Sequence, residues 1–152
     1  MDKIQLRDAL MAQLWRMYKM DIMLYLREFL VGETALLECV ASHGEALTPS
    51  AISDEAHLSR ARTATILRAL REKEYITMDV ADDDRRKMNV RITEAGIKHL
   101  AEKHGFLASY FDKYVEVLGE KNISELTALL KLTADSESKL KGRFPEEPSN
   151  GD

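Results

Sequence analysis

The sequence predicts a mainly α-helical fold with one small β-hairpin, and three observations predict it. Apolar residues recur every three to four positions along most of the chain, the period of a helix with one buried face. Strict alternation replaces that period only over 75–80 and 88–92, the mark of two half-buried strands. Between those strands, 82-DDDRRK-87 runs three acids into three bases, a polar turn at a hairpin tip.

Taken in order, residues 4–30 place Leu6, Leu10, Leu14, Met17 and Leu24 at helical spacing without Gly or Pro, which predicts one long amphipathic helix, straight or bent. A shorter helix follows over 33–44, closed by Gly44. Thr48 before Pro49 is an N-cap with proline at the first helical position. Ser59 caps a further helix over 60–74, with Thr63, Ile66, Leu67 and Leu70 on its inner face. After the hairpin, Thr93 and Glu94 open a long helix to about Leu118, with Gly96 near its start. Asn122 and Glu125 resemble a capping box for a last helix over 123–140. The tail, 142–152, is rich in Gly, Pro and acids and is read as disordered.

Three short helices followed by a hairpin make a winged helix-turn-helix. The expected organisation is a winged lobe over 33–94, with dimerisation helices over 1–32 and 95–141. The long flanking helices carry more apolar surface than so small a lobe can cover, and the same helices of a second chain would bury it.

Composition limits the functional classes. The single Cys39 excludes an intramolecular disulfide and fits a reducing cytoplasm. Asp2, Arg7 and Asp8 interrupt any apolar run near the start, so no secretory signal is read there. The richest apolar stretch, 20-MDIMLYLREFLV-31, contains Asp21, Arg27 and Glu28 and is too short to span a bilayer. No nucleophile–base pair or phosphate-binding loop is present, so an enzyme is not expected, and neither is a cofactor. Net charge is −4, yet 59-SRARTATILRALR-71 carries four arginines and no acid. Phosphate binding depends on where cations sit, not on their sum.

The second helix of a helix-turn-helix enters the DNA major groove. With Ile66, Leu67 and Leu70 inward, Ala61, Ala64, Thr65 and Arg68 face out, and Arg60 and Arg62 flank the N-terminus. Small residues allow close approach to thymine methyls, arginine can pair bidentately with guanine, and Ser59 or Thr65 can serve bases or phosphates. A solvated basic face would show the same pattern. At the hairpin tip, Asp84 lies two residues from Arg86 and can brace it toward a minor groove, with Arg85 and Lys87 near the backbone. A plain solvated turn is the competing reading. Carboxylates 82–84 do not suit a metal, because they diverge around a turn beside three cations.

These segments resemble the MarR family of bacterial transcriptional regulators. The stretch 47-LTPSAISDEAHLSRARTATILRALREKEYI-76 runs without a gap against that family's helix-turn-helix. The stretch 84-DRRKMNVRITEAG-96 matches its Asp-x-Arg wing, and 92-ITEAG-96 matches its "LT-x-x-G" strand exit. The flanking helices have the family's lengths and order. The resemblance implies a homodimer on a pseudo-palindromic operator of double-stranded DNA, usually a repressor released by a small molecule. Asp84 and Arg86 would take the wing roles; Ser59, Arg60, Arg62, Thr65 and Arg68 would take those of the recognition helix. Two positions depart from the family, His57 and Glu74, where glycine is usual; a non-glycine residue at positive φ carries a modest strain penalty, so the local backbone geometry there is left open. A winged-helix module that meets an acidic protein through the arginines of 60–71 is the alternative.

The resemblance also implies a phenolic or other aromatic effector, with Met11, Trp15, Tyr18 and Met23 as crevice residues. A Met/aromatic stripe at helical spacing is more often core than pocket, and both readings stand. Cys39, beside Glu38 on an apolar helix, is expected to be inert rather than redox-active. His99 and His104 are five apart, off a common helical face, and no metal is expected there.

Overall fold

A computed structural model describes residues 1–141, which form eight helices and one two-stranded antiparallel sheet. The predicted disordered tail at 142–152 lies outside the described residues. The chain divides into two units, Met1–His104 and Gly105–Asp152, each described by itself.

The first unit opens with α1 (Lys3–Tyr18), whose N-terminus is a reciprocal capping box between Asp2 and Gln5. The single helix expected over 4–30 is two helices: the chain turns at Lys19 and Met20, and α2 runs Asp21–Val31. Met20 is extended at φ −71° and ψ 141°. Asp21 supplies the negative charge that a new helix N-terminus favours. A short polar step between two apolar stretches leaves the 3.6-residue pattern nearly intact, so periodicity alone does not reveal the break.

Next come α3 (Glu33–Ser42), α4 (Pro49–Glu55) and α5 (Arg60–Glu72). Gly44 does not close α3 as expected. The extended residue His43 does, while the Ser42 hydroxyl and the His43 ring satisfy the carbonyl of Cys39. Thr48 and Ser59 cap α4 and α5 as the sequence predicts, accepting from the amides of Ala51 and Arg62.

Strands β1 (Ile76–Val80) and β2 (Met88–Ile92) pair in a register that sets Ile76 against Ile92, Met78 against Val90 and Val80 against Met88. Thr77 and Arg91, and Asp79 and Asn89, pair on the other, polar face. Leu47, just before α4, joins Val90 by two backbone hydrogen bonds of 3.2 and 2.7 Å, extending the sheet by one isolated bridge. The core fills the space between these elements with Leu36, Leu37, Val40, Ile52, Leu67, Leu70, Ile76, Val90 and Leu100.

Both glycine-poor turns adopt the left-handed conformation. His57 has φ 53° and Glu74 φ 62°. In each turn the C″ amide reaches back to the C3 carbonyl (Leu58 to Ser53, Tyr75 to Leu70, both 3.0 Å), and the preceding amide bonds C2. These are Schellman caps, and Leu58 and Tyr75 pack on the core beside them.

Helix α6 (Glu94–Leu118) begins in the first unit. Thr93 caps it: its hydroxyl accepts from the Gly96 amide at 3.0 Å and donates to the Glu74 carbonyl at 2.6 Å. Gly96 passes so near Tyr75 that a Cβ would stand 2.2 Å from the Tyr75 carbonyl oxygen. The Thr-x-x-Gly spacing is thus a cap plus a close approach. Further along, Lys103 pairs with Glu28, and His104 with Glu38 and the Phe29 ring.

In the second unit α6 carries the ring cluster Tyr110, Phe111 and Tyr114. The last helices are α7 (Glu120–Asp135) and α8 (Glu137–Leu140). Helix α7 starts earlier than the capping-box reading of Asn122 placed it. Gly119, at φ 82°, makes the turn, and Asn122 instead donates its side-chain amide to the Leu118 carbonyl. Among the described residues no helix is long and apolar enough to cross a membrane.

Candidate nucleic-acid interface

The outer face of α5 follows from what its inner face must bury. Thr63, Leu67 and Leu70 are buried, so the 100° step per residue leaves Ala61, Arg62, Ala64, Thr65 and Arg68 exposed. Arg62 and Arg68 have no ion-pair partner among the described residues. The Thr65 hydroxyl donates to the Ala61 carbonyl at 3.1 Å, and its oxygen still has an acceptor site to offer.

Two of the sequence-predicted residues also make contacts within the lobe. Ser59 accepts from the Arg62 amide as the cap, leaving its hydroxyl proton free to donate. Arg60 reaches back to α4, donating to the Ser50 carbonyl at 2.6 Å and pairing with Asp54 at 3.0 Å. Its guanidinium therefore spans the two helices while staying 62% exposed. Asp54 was not among the expected site residues; its place three residues before the turn and six before Arg60 carries no periodic signal.

The wing tip is a tight turn over 84–87, closed by the Lys87 amide on the Asp84 carbonyl at 3.0 Å. Asp84 opens it as aspartate does in many turns, by accepting from the backbone amide two residues on, that of Arg86, at 3.0 Å. The same carboxylate takes the Arg86 guanidinium in a fork, Nε to Oδ1 at 3.1 Å and Nη2 to Oδ2 at 3.3 Å. Arg86 stays 90% exposed while Asp84 is 24% exposed. The Arg86 fork holds the Asp84 carboxyl below its ordinary range, so the brace is intact at neutral pH. Arg85 and Lys87 are exposed on either side.

The four crevice residues also meet. Met11, Trp15, Tyr18 and Met23, joined by Leu14 and Met17, line an open apolar hollow of about 400 Å3 at the α1–α2 turn. Trp15 and Tyr18 stand edge to face with ring centroids 6.2 Å apart. Leu14 and Met17 were missed for this role because their spacing marks them equally as stripe residues. The histidines part company: the His99 ring stacks on Tyr75 at 4.3 Å, while His104 turns to Glu38. Cys39 is buried, and desolvation, then the nearby Glu55 carboxylate, push its thiol up to about 11.

Residues 34–79, from α3 through most of β1, match the IclR helix-turn-helix domain family. No curated protein matches the sequence significantly. Solved structures match over nearly the whole chain. MepR, a transcription regulator of the Staphylococcus aureus multidrug efflux pump MepA, is 19% identical, with a TM-score of 0.64 over 90% of this chain and 98% of its own. Streptococcus pneumoniae FabT, solved in complex with DNA, is 17% identical, with a TM-score of 0.61 over 91% and 99%. A MarR transcriptional regulator from Methanosarcina mazei is 17% identical, with a TM-score of 0.57 over 90% and 99%. The fold is the winged helix-turn-helix shared by these regulators.

Proposed function

We propose that this chain is a MarR-type, non-enzymatic DNA-binding regulator of the bacterial cytoplasm, acting as a homodimer on a pseudo-palindromic operator. The observation that carries the reading is Arg86. A guanidinium fixed by two bonds to Asp84 and still 90% exposed gains little for stability, because surface ion pairs contribute little. Held rigid at the hairpin tip, it is suited to a narrow minor groove. Beside it, α5 offers small residues and the uncommitted Arg62 and Arg68 to a major groove, with Ser59, Thr65, Arg85 and Lys87 as phosphate or base contacts. Arg60, which touches Asp54 and the Ser50 carbonyl but is still 62% exposed, can also reach a phosphate.

Dimerisation is supported by apolar surface that each unit leaves open. In the first, α1 buries no residue, and Leu6, Leu10 and Leu14 are all more than half exposed. In the second, α7 buries none either, and Leu129, Leu130 and Leu132 stand in the open. Continuous apolar faces of this kind mark association surfaces, and a second copy supplies matching ones. The Met11–Trp15–Tyr18–Met23 hollow accepts a small aromatic or phenolic effector, whose binding there would release a repressor from its operator.

Gel-shift titration on the DNA upstream of its own gene, over a salt series and beside sedimentation of the free protein, tests the reading. Affinity falls steeply with salt as phosphate contacts release counterions. A monomer at micromolar concentration, or no shift at low salt together with co-purification of an acidic partner, defeats it.

A further inference from the structure

Away from the DNA-facing surface, three side chains with metal-binding chemistry converge where the ends of α3 and α4 meet. Cys39 and His43 are four residues apart, on the same side of the helix end. Glu55 is the last residue of α4. Their sulfur, imidazole nitrogen and carboxylate oxygen lie within 4.8 Å of one another, and His43 Nε2 is 3.2 Å from Glu55 Oε2.

The imidazole is already set for ligation. Its Nδ1 lies 2.8 Å from the Cys39 carbonyl, which can only accept, so Nδ1 carries the proton. In the neutral ring Nε2 then keeps its lone pair, 3.2 Å from Glu55 Oε2. A backbone carbonyl on the far ring nitrogen is the outer-shell support that metal-bound histidines use. A helix cap and an ion pair would explain His43 and Glu55, and core packing beside Glu55 would explain Cys39; the site is inferred from all three donor types meeting at one point.

We infer that Cys39, His43 and Glu55 form a site for a zinc-class divalent ion. Thiolate and imidazole select a borderline-soft metal over magnesium or calcium, which take oxygen ligands. Three protein ligands leave the fourth tetrahedral position to water, reached through an adjoining hollow of about 370 Å3 lined in part by Glu38, Ser42 and His57. On binding, a metal–sulfur bond forms and the thiol proton leaves to solvent. The ion would pin the scaffold helix α3 to the first helix of the helix-turn-helix. The inference does not depend on the DNA reading, since its readout is the metal alone.

The experiment is a titration of the full-length, reduced, metal-free protein with Co2+, followed by optical spectroscopy and competition with Zn2+. One ion per protomer is expected, with a near-ultraviolet thiolate-to-cobalt band and the visible bands of a tetrahedral ion, both bleached by zinc. Cys39→Ser removes the near-ultraviolet band. His43→Gln and Glu55→Gln, at partly exposed positions that should fold normally, each weaken affinity at least as much as the roughly 10–100-fold typical of losing an outer-shell partner. His104→Gln, next to Glu38, leaves it unchanged. No thiolate band at saturating cobalt, or one affinity across the His43 and Glu55 variants and wild type, overturns the site.

Discussion

The Ser53 and Thr63 hydroxyls meet 2.9 Å apart in the buried angle between α4 and α5. Ser53 gives its proton to the Leu58 carbonyl at 3.1 Å, so Thr63 must be the donor to Ser53. The result is a one-way chain from Thr63 through Ser53 to the turn backbone. Ser53→Ala strands both the Thr63 hydroxyl and the Leu58 carbonyl and should cost about 2–3 kcal/mol, whereas the near-isosteric Thr63→Val removes only a donor and should cost about 1 kcal/mol. Urea unfolding measures both. Equal losses would refute the assigned direction.

Glu74 sits at φ 62° in a cap where glycine is the unstrained choice. Glu74→Gly should raise stability by about 0.5–1 kcal/mol despite the greater entropy of the unfolded chain, while Glu74→Ala should not. Thermal melts of the two variants decide it; a lower melting temperature for the glycine variant would mean that the glutamate side chain contributes more than its backbone costs.

Gly96 responds in the opposite sense. A methyl group there would press on the Tyr75 carbonyl oxygen and on Ile92 Cγ1, 2.2 and 2.8 Å from an ideal Cβ. Backbone cannot yield as a flexible side chain can. Gly96→Ala should therefore destabilise by about 2–3 kcal/mol, read as a lower urea midpoint with an unchanged slope. A wild-type midpoint would show that α6 can shift away from the hairpin.

At the wing, Arg86→Ala should weaken operator binding about 10-fold or more with no change in melting temperature, since one good groove contact is worth roughly 1–3 kcal/mol. Asp84 adds a pH signature. Its folded pKa is lowered, so the ion pair is present above the ordinary carboxylate range and is lost only as pH falls through the depressed value. The affinity ratio of wild type to Asp84→Asn should hold constant between about pH 5 and 8, where carboxylates are normally ionised. A ratio that drifts within that window would show that Asp84 is not the group bracing Arg86.

Local chemistry was legible in the sequence wherever one residue type has one job. Thr48, Ser59 and Thr93 announce helix starts, and the alternation of 76–80 and 88–92 fixes the strands and their apolar face. Asp84 and Arg86, two apart in a turn, foretold the fork itself. What escaped was set by distance along the chain. The contacts of Arg60 with Asp54 and the Ser50 carbonyl escaped because these groups come near it only after α4 and α5 fold together. The α1–α2 break hid inside an unbroken apolar rhythm, and Gly119 took the helix start that Asn122 suggested. Cys39 and His43 stand one turn apart in plain sight, but Glu55 reaches them only through the tertiary fold.

The backbone exchange between Leu47 and Val90 has a mechanical consequence. Residues far apart in sequence, one leading into the helix-turn-helix and one in the wing, are joined by two backbone hydrogen bonds, with the Val90 side chain fully buried beneath them. If the chain binds DNA as proposed, helix and wing would tilt together as a single jaw, and an operator with altered groove-to-groove pitch would have to be met by deformation of the duplex rather than by flexing inside the jaw.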